Sequence, residues 1–269
     1  MAVSERDIKS SFESTIESLD IKLFEKISSQ TTDRDRRSLL ACQLAVRTLK
    51  PDYTYLEIGS YLGGSLQPIL LDDKCARIYS IDKLPPVQPD ERGINYEYEN
   101  NSTQRMLDNL RGVYEPGLAK IICLDEDASK VDIRRIEYKP DICFIDGEHT
   151  DQAAFADFLF CLSVLEPDGL LVFHDAPIVY NGLAKVVAYL EQQGVKFSAY
   201  HLPDTVFVVE IGEFPIHRME YIQDMLLNNY VGYLTSLQCN DHYRQFANKP
   251  LFKWLRKWKL KATRAHVSQ

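Results

Sequence analysis

Apolar positions along the chain change period twice. Ile8, Phe12, Ile16 and Leu19 recur at helical spacing near the N-terminus, and a second helix runs from near Asp35 to Leu49. Leu39, Leu40, Leu44 and Val46 form the apolar face of that helix, and Pro51 marks its stop. From Tyr53 to Gly212 short apolar runs alternate with helical stretches, which predicts a mostly parallel sheet with helices on its faces. The predicted strands are Tyr53–Ile58, Arg77–Ile81, Ala119–Cys123, Asp141–Ile145, Leu170–Phe173, Lys196–His201 and Thr205–Ile211. Only Leu202-Pro203-Asp204 separates the last two, too short for a parallel crossover, so the final strand is expected to run antiparallel. The expected fold is therefore α/β: a Rossmann-like seven-stranded sheet over 51–212, with helical extensions at 1–50 and 213–269.

The first predicted strand runs into Glu57-Ile58-Gly59-Ser60-Tyr61-Leu62-Gly63-Gly64-Ser65, and Leu66 to Leu71 is then helical in pattern. Glycines permit positive φ and let a ligand lie against the backbone, and amides at the start of the next helix suit an anionic group. The spacing is not that of the dinucleotide motif Gly-x-Gly-x-x-Gly. Glu57 would repel a pyrophosphate but suits a ligand bearing an ammonium or sulfonium group. One strand later Asp82 ends an apolar run, at the place where such folds grip a ribose diol. The plain alternative is a tight strand–helix turn and a solvated Asp82.

These residues resemble the class I S-adenosylmethionine-dependent methyltransferases over about Tyr53 to Ile211. Glu57 to Ser65 is similar to their first motif, Asp82 to their ribose acid, and the terminal hairpin to their reversed seventh strand. Within that class the chain resembles the macrocin and catechol O-methyltransferase-like groups. The narrower resemblance rests on Phe144-Ile145-Asp146-Gly147-Glu148-His149, on Asp157, and on Leu165 to Asp175. It implies S-adenosylmethionine bound by Glu57, Gly59, Ser60, Tyr61, Gly63, Gly64, Ser65, Asp82 and Asp146, with Asp127 and Ala128 near the adenine. The implied acceptor is a hydroxyl on a sugar or other natural product.

Asp146 and the pair His174-Asp175 each follow an apolar strand, and in an open parallel sheet such ends face one crevice. Two carboxylates and an imidazole suit a divalent cation. His174 stands where the resembling families carry an oxygen ligand, which puts Mg²⁺ in doubt and admits Mn²⁺, Fe²⁺ or Zn²⁺. Alternatively, Asp146 touches the cofactor and His174 caps a loop. A hydroxyl acceptor must lose its proton. Glu148 matches the acidic base of macrocin-type enzymes, and His149 beside it brings an imidazole; the sequence ranks them equally. A nicotinamide-dependent oxidoreductase, or a non-catalytic binding or assembly protein that keeps the fold, remain as alternative readings.

A net charge of −8 argues against a general nucleic-acid binder. The six cysteines are scattered, and the N-terminal residues lack a secretory pattern. No apolar run is long enough to span a bilayer, so a cytoplasmic setting is the expectation. Leu84 to Asn101, with Pro85, Pro86, Pro89, Tyr96 and Tyr98, is read as a surface excursion with an extra edge strand, or as a loop closing over a substrate. The tail after Asp241 gathers Arg244, Lys249, Lys253, Arg256, Lys257, Lys259, Lys261 and Arg264 among Phe252, Trp254, Leu255, Trp258 and Leu260. Docking on the acidic body of this chain or of a second subunit in a homo-oligomer is the preferred reading, over contact with an anionic membrane surface.

Overall fold

The structure is a computed structural model that describes residues 5–93, 95–239 and 249–255. The tail positions Arg244, Arg256 to Lys261 and Arg264 lie outside the described residues, so at those positions the docking and membrane readings rest on sequence.

The chain opens with helix α1 (Glu5–Glu17) and α2 (Asp33–Leu49). Thr32 and Asp35 form a capping box at the start of α2, each side chain bonding the other's backbone N–H, which fixes where that helix begins. Strand β1 (Tyr53–Ile58) leads to α3 (Leu66–Leu71) and β2 (Cys75–Ile81). Two short strands, β3 (Val87–Pro89) and β4 (Asn95–Glu97), precede α4 (Thr103–Tyr114) and β5 (Ile121–Leu124). Then follow β6 (Ile142–Ile145), α5 (Asp151–Val164), β7 (Gly169–Phe173), α6 (Tyr180–Gln192), β8 (Phe197–His201) and β9 (Phe207–Ile211). Helices α7 (Glu220–Leu227) and α8 (Tyr230–Cys239) follow, and the described residues 250–255 are helical as well.

Seven strands form one sheet in the order β5-β2-β1-β6-β7-β9-β8, and β9 runs antiparallel to both of its neighbours. This is the Rossmann-like sheet with a reversed last strand that the sequence predicts. Side chains alternate between two cores, as the two-residue strand period requires. Tyr53, Tyr55, Phe144 and Val172 pack with α2, α3 and α4 on one face, while Leu56, Ile58, Cys143, Ile145, Leu171 and Phe173 meet α5 and α6 on the other. The strands β1, β6 and β7 are buried on both faces, and β6 and β7 therefore read as unbroken apolar runs.

Register places the site. Ile58 pairs with Ile81 and with Ile145, Ile81 with Leu124, and Ile145 with Phe173. Five parallel strands thus end at one level, and the next residues, Gly59, Asp82, Asp125, Asp146 and His174, leave the sheet side by side.

The expected edge strand within 84–101 is not part of this sheet. β3 and β4 pair only with each other, in a hairpin. Its turn is tied to the loop after β6: the Glu91 N–H donates to the His149 carbonyl at 2.9 Å, and the Asp151 N–H donates to Glu91 Oε1 at 2.8 Å. Among the described residues, no helix is long and apolar enough to cross a membrane.

Candidate active site

The turn after β1 is built on Glu57. Its carboxylate is fully buried and accepts the Tyr55 hydroxyl at 2.6 Å and the Ser65 hydroxyl at 2.7 Å. Burial pushes it up to about 7, against the opposing pull of these two hydroxyls. Glu57 therefore stands behind the turn and braces it. Gly59 has φ of +91°, and a Cβ there would collide with the Asp146 carbonyl oxygen at 2.1 Å, so only glycine lets β1 and β6 release their loops this close together. Tyr61, at φ of 43°, donates its N–H to Asp82 Oδ2 at 3.0 Å. At Gly63, with φ of +83°, a Cβ would press on Leu110 and Met106 of α4.

Two cavities flank this turn, and Gly59 lines both. The first, about 300 Å³, is lined by Ile58, Ile81, Asp82, Lys83, Asp127, Ala128, Gly147, Glu148 and one face of α5. Asp82 accepts the Tyr61 and Leu84 N–H groups, one on each carboxylate oxygen, and burial raises its pKa against those bonds. Each oxygen accepts one of the two and faces the cavity with its remaining lone pair. Asp127 accepts the N–H and hydroxyl of Ser129 through Oδ1, leaving Oδ2 unused there.

The second cavity, about 400 Å³, is lined by Ser28 to Thr31, the turn residues Ser60, Tyr61, Leu62, Gly64 and Ser65, the hairpin's Arg92, Tyr96 and Tyr98, and Asp146, His149, His174 and Asp175. Sequence reasoning missed the first of these groups. Segment 24–31 is pinned beside the turn by Gln67, whose amide nitrogen donates to the carbonyls of Phe24, Ile27 and Gly64. A glutamine at the second position of α3, Gln67, is the local hint.

Glu148 and His149, equal in sequence, separate in space. Glu148 lines the first cavity, paired with Lys83 at 2.5 Å and accepting the Thr150 hydroxyl. His149 lines the second: its Nε2 lies 3.1 Å from Asp175 Oδ2 and 3.9 Å from Asp146 Oδ1, and Tyr96 meets its ring edge-on. Asp175 holds φ of 52°, a left-handed conformation that aspartate tolerates at some cost.

His174 sits deeper. Its Nδ1 is 3.1 Å from both Asp146 Oδ1 and Asp175 Oδ2, and its Nε2 points at Asp35 Oδ2, 3.5 Å away. Burial works against its charge, yet the two carboxylates at Nδ1 win and raise its pKa well above the usual imidazole value. In return, Asp175, though buried, is lowered to about 2 by His174 first and His149 after it. Among the described residues, the donors lying within 4.8 Å of one another come from Asp146, His149 and Asp175. This set differs by one histidine from the Asp146, His174, Asp175 of the sequence reading, and His174 Nδ1 lies beside it, 3.1 Å from the same two carboxylates.

The architecture brings the carboxylate of Asp82, a glycine turn and a cluster of ionisable groups to one edge of the sheet. Residues 56–176 match the model of a family described as a methyltransferase domain. An uncharacterized protein of Acanthamoeba polyphaga mimivirus is 29% identical over 157 residues, or 56% of this chain, and the match spans 66% of that relative's own length. Solved structures similar in fold include the O-methyltransferase from Bacillus cereus in complex with SAH, at 14% identity over 76% of this chain and 91% of that one, with a TM-score of 0.45. Another is the O-methyltransferase TomG from Streptomyces achromogenes, in complex with SAM, at 14% identity over 78% of this chain and 92% of that one, with a TM-score of 0.47.

Proposed function

We propose that the methyltransferase domain at residues 56–176 uses S-adenosylmethionine to methylate a hydroxyl oxygen of a small molecule. The observation that carries this reading is the pair of cavities meeting at Gly59, one ending on Asp82 and the other on the His149–Asp175 pair. A ligand with a nucleoside on one side and a charged sulfur bearing an amino-acid chain on the other fits that division. Asp82 would take the ribose hydroxyls on its free lone pairs, Asp127 and Ala128 would flank the adenine, and Gly59 to Ser65 would follow the amino-acid end. Asp146, which lines the second cavity, would offer negative charge toward the sulfonium.

When bound, S-adenosylmethionine supplies an electrophilic methyl carbon whose bond to sulfur breaks as the acceptor oxygen forms its own, the electron pair staying on sulfur. In-line attack requires the oxygen about 3 Å from that carbon, and the second cavity is where an acceptor would stand. His149 would receive the hydroxyl proton, and Asp175, 3.1 Å from its Nε2, would balance the charge that the ring then carries. The hydroxyl and amide side chains of Ser28 to Thr31, with Tyr96 and Tyr98, form walls suited to a polyhydroxylated or aromatic acceptor.

A second reading has its own observation. Asp146, His149 and Asp175 offer two carboxylate oxygens and one nitrogen close enough to share a divalent cation. Such an ion would lower the pKa of an acceptor hydroxyl, and His149 would then be a ligand instead of a base. Incubating the protein with methyl-labelled S-adenosylmethionine and a panel of hydroxylated small molecules, with and without chelator, tests both. A labelled methyl ether supports the proposal, and its loss on chelation favours the metal reading. Methylation of amines alone would overturn hydroxyl transfer.

A further inference from the structure

Both tryptophans of the chain, Trp254 and Trp258, fall in the basic tail, which the site described above does not use. Residues 250–255 of that tail are helical. Pro250 opens the helix, where its ring fixes φ and its missing N–H costs nothing, and the Lys253 N–H donates to the Lys249 carbonyl at 3.1 Å. Leu251, Trp254 and Leu255 stand at i, i+3 and i+4 and so share one face. That face is turned to solvent. Leu251 and Trp254 are each 62% exposed and Leu255 is 41% exposed, while Phe252, off the face, is half-buried.

The sequence carries the same spacing onward through Trp258, Ala262 and Ala265, at i+7, i+11 and i+14 from Leu251. At about 100° per residue, Lys249, Lys253, Arg256, Lys257 and Arg264 fall on the opposite side of that pattern. Between Lys249 and Arg264 there are seven basic residues and no acidic one. A stripe of leucine and tryptophan backed by cations alone suits a helix lying in the plane of a lipid surface. The acidic body of the chain would satisfy the cations too, but docking there would cover the apolar stripe, and the stripe is bare. Its exposure reverses the preference for docking on the body that the sequence suggests.

We infer that the tail from Lys249 onward binds the surface of a membrane rich in anionic lipid. The stripe of Leu251, Trp254 and Leu255 enters the head-group layer, to a depth of about 5–10 Å, and the lysines and arginines are drawn to the lipid charge. A helix with its side chains is about 10–12 Å across, close to the Debye length of about 8 Å at physiological salt. The cations on the far side therefore still feel the surface, and added salt weakens their hold. This binding does not depend on which reaction the domain performs.

Tryptophan emission of the intact chain reads the tail directly, because no tryptophan lies elsewhere. The protein is titrated with vesicles of phosphatidylcholine alone and with vesicles containing two parts phosphatidylcholine to one of phosphatidylserine. Emission should start at the long wavelength of an indole in water and shift to shorter wavelength with the anionic vesicles, at about tenfold or more lower lipid than with the neutral ones. High salt should reverse the shift. Each cation near such a surface is worth about fivefold in affinity, so the double variant Lys253→Gln, Lys257→Gln should need about tenfold or more extra lipid. The double variant Leu251→Ser, Leu255→Ser changes only exposed side chains and keeps both reporters, and it should weaken binding on the same scale. Emission already at short wavelength without lipid and unmoved by vesicles would place the tail on the body or on a second copy, and overturn the inference. Long-wavelength emission that anionic vesicles leave unchanged would overturn it as well. So would a shift produced by a random-sequence oligonucleotide but not by vesicles, which would assign the cations to nucleic acid.

Discussion

A carboxyl sealed at the end of a central strand, as Glu57 is, holds its proton to higher pH than one in water. Its folded pKa of about 7 lies above the unfolded value, so the stability it contributes is complete below about 4.5 and is lost as pH rises through 7. Chemical denaturation of wild type and Glu57→Gln across that window should therefore diverge. Wild type should lose up to about 3 kcal/mol more than the glutamine variant between pH 4.5 and 7.5. Parallel profiles would mean that Glu57 is ionised throughout. The neighbouring pair Glu148 and His149 makes a kinetic test. Replacement of a general base removes about 10²–10⁴-fold of rate, so His149→Asn should lower kcat on that scale with cofactor affinity little changed. Glu148→Gln, which breaks the pair with Lys83 in the first cavity, should act mainly on cofactor affinity. A larger kcat loss in Glu148→Gln would reverse the assignment. Sequence could not rank these two because adjacent residues on a loop point to different cavities, and only the path of the loop decides which.

Elements with a strong period were legible, and elements held by distant partners were not. Strand β1 ends where the run Tyr53 to Ile58 meets Gly59, and β9 reverses because the five residues from Leu202 to Val206 are too few for a parallel crossover. The β3–β4 hairpin escaped because three-residue strands carry no period, and its hold on the site runs through Glu91 to a backbone carbonyl far along the chain. Asp35 was visible as the start of a helix. Its second task, facing His174 across the site, depends on α2 packing against the sheet. Gly63 shows the same limit, since its glycine is demanded by α4. A valine there would meet Leu110 and Met106 while forced to positive φ, costing roughly 2–4 kcal/mol through strain and overpacking. Thermal denaturation of Gly63→Val should show a clear fall in midpoint, with binding preserved in the folded fraction. An unchanged midpoint with lost binding would place the ligand against Gly63 instead.

Across the whole molecule, register does what no single motif can. Because five parallel strands stop at the same level, residues from Gly59 to His174 meet at one edge, and a ligand lying there bridges loops far apart in sequence. A ligand that binds only the folded protein raises its stability by mass action, so the site is detectable before any acceptor is known. The most direct test is calorimetric titration of the protein with S-adenosylhomocysteine, with NAD as the contrasting ligand and Asp82→Ala as the contrasting protein. The account predicts one site for S-adenosylhomocysteine, none for NAD, and affinity lowered about tenfold or more in Asp82→Ala, the scale of a lost charged hydrogen bond. Binding of NAD in place of S-adenosylhomocysteine, or no binding of S-adenosylhomocysteine at saturating concentration, would contradict it.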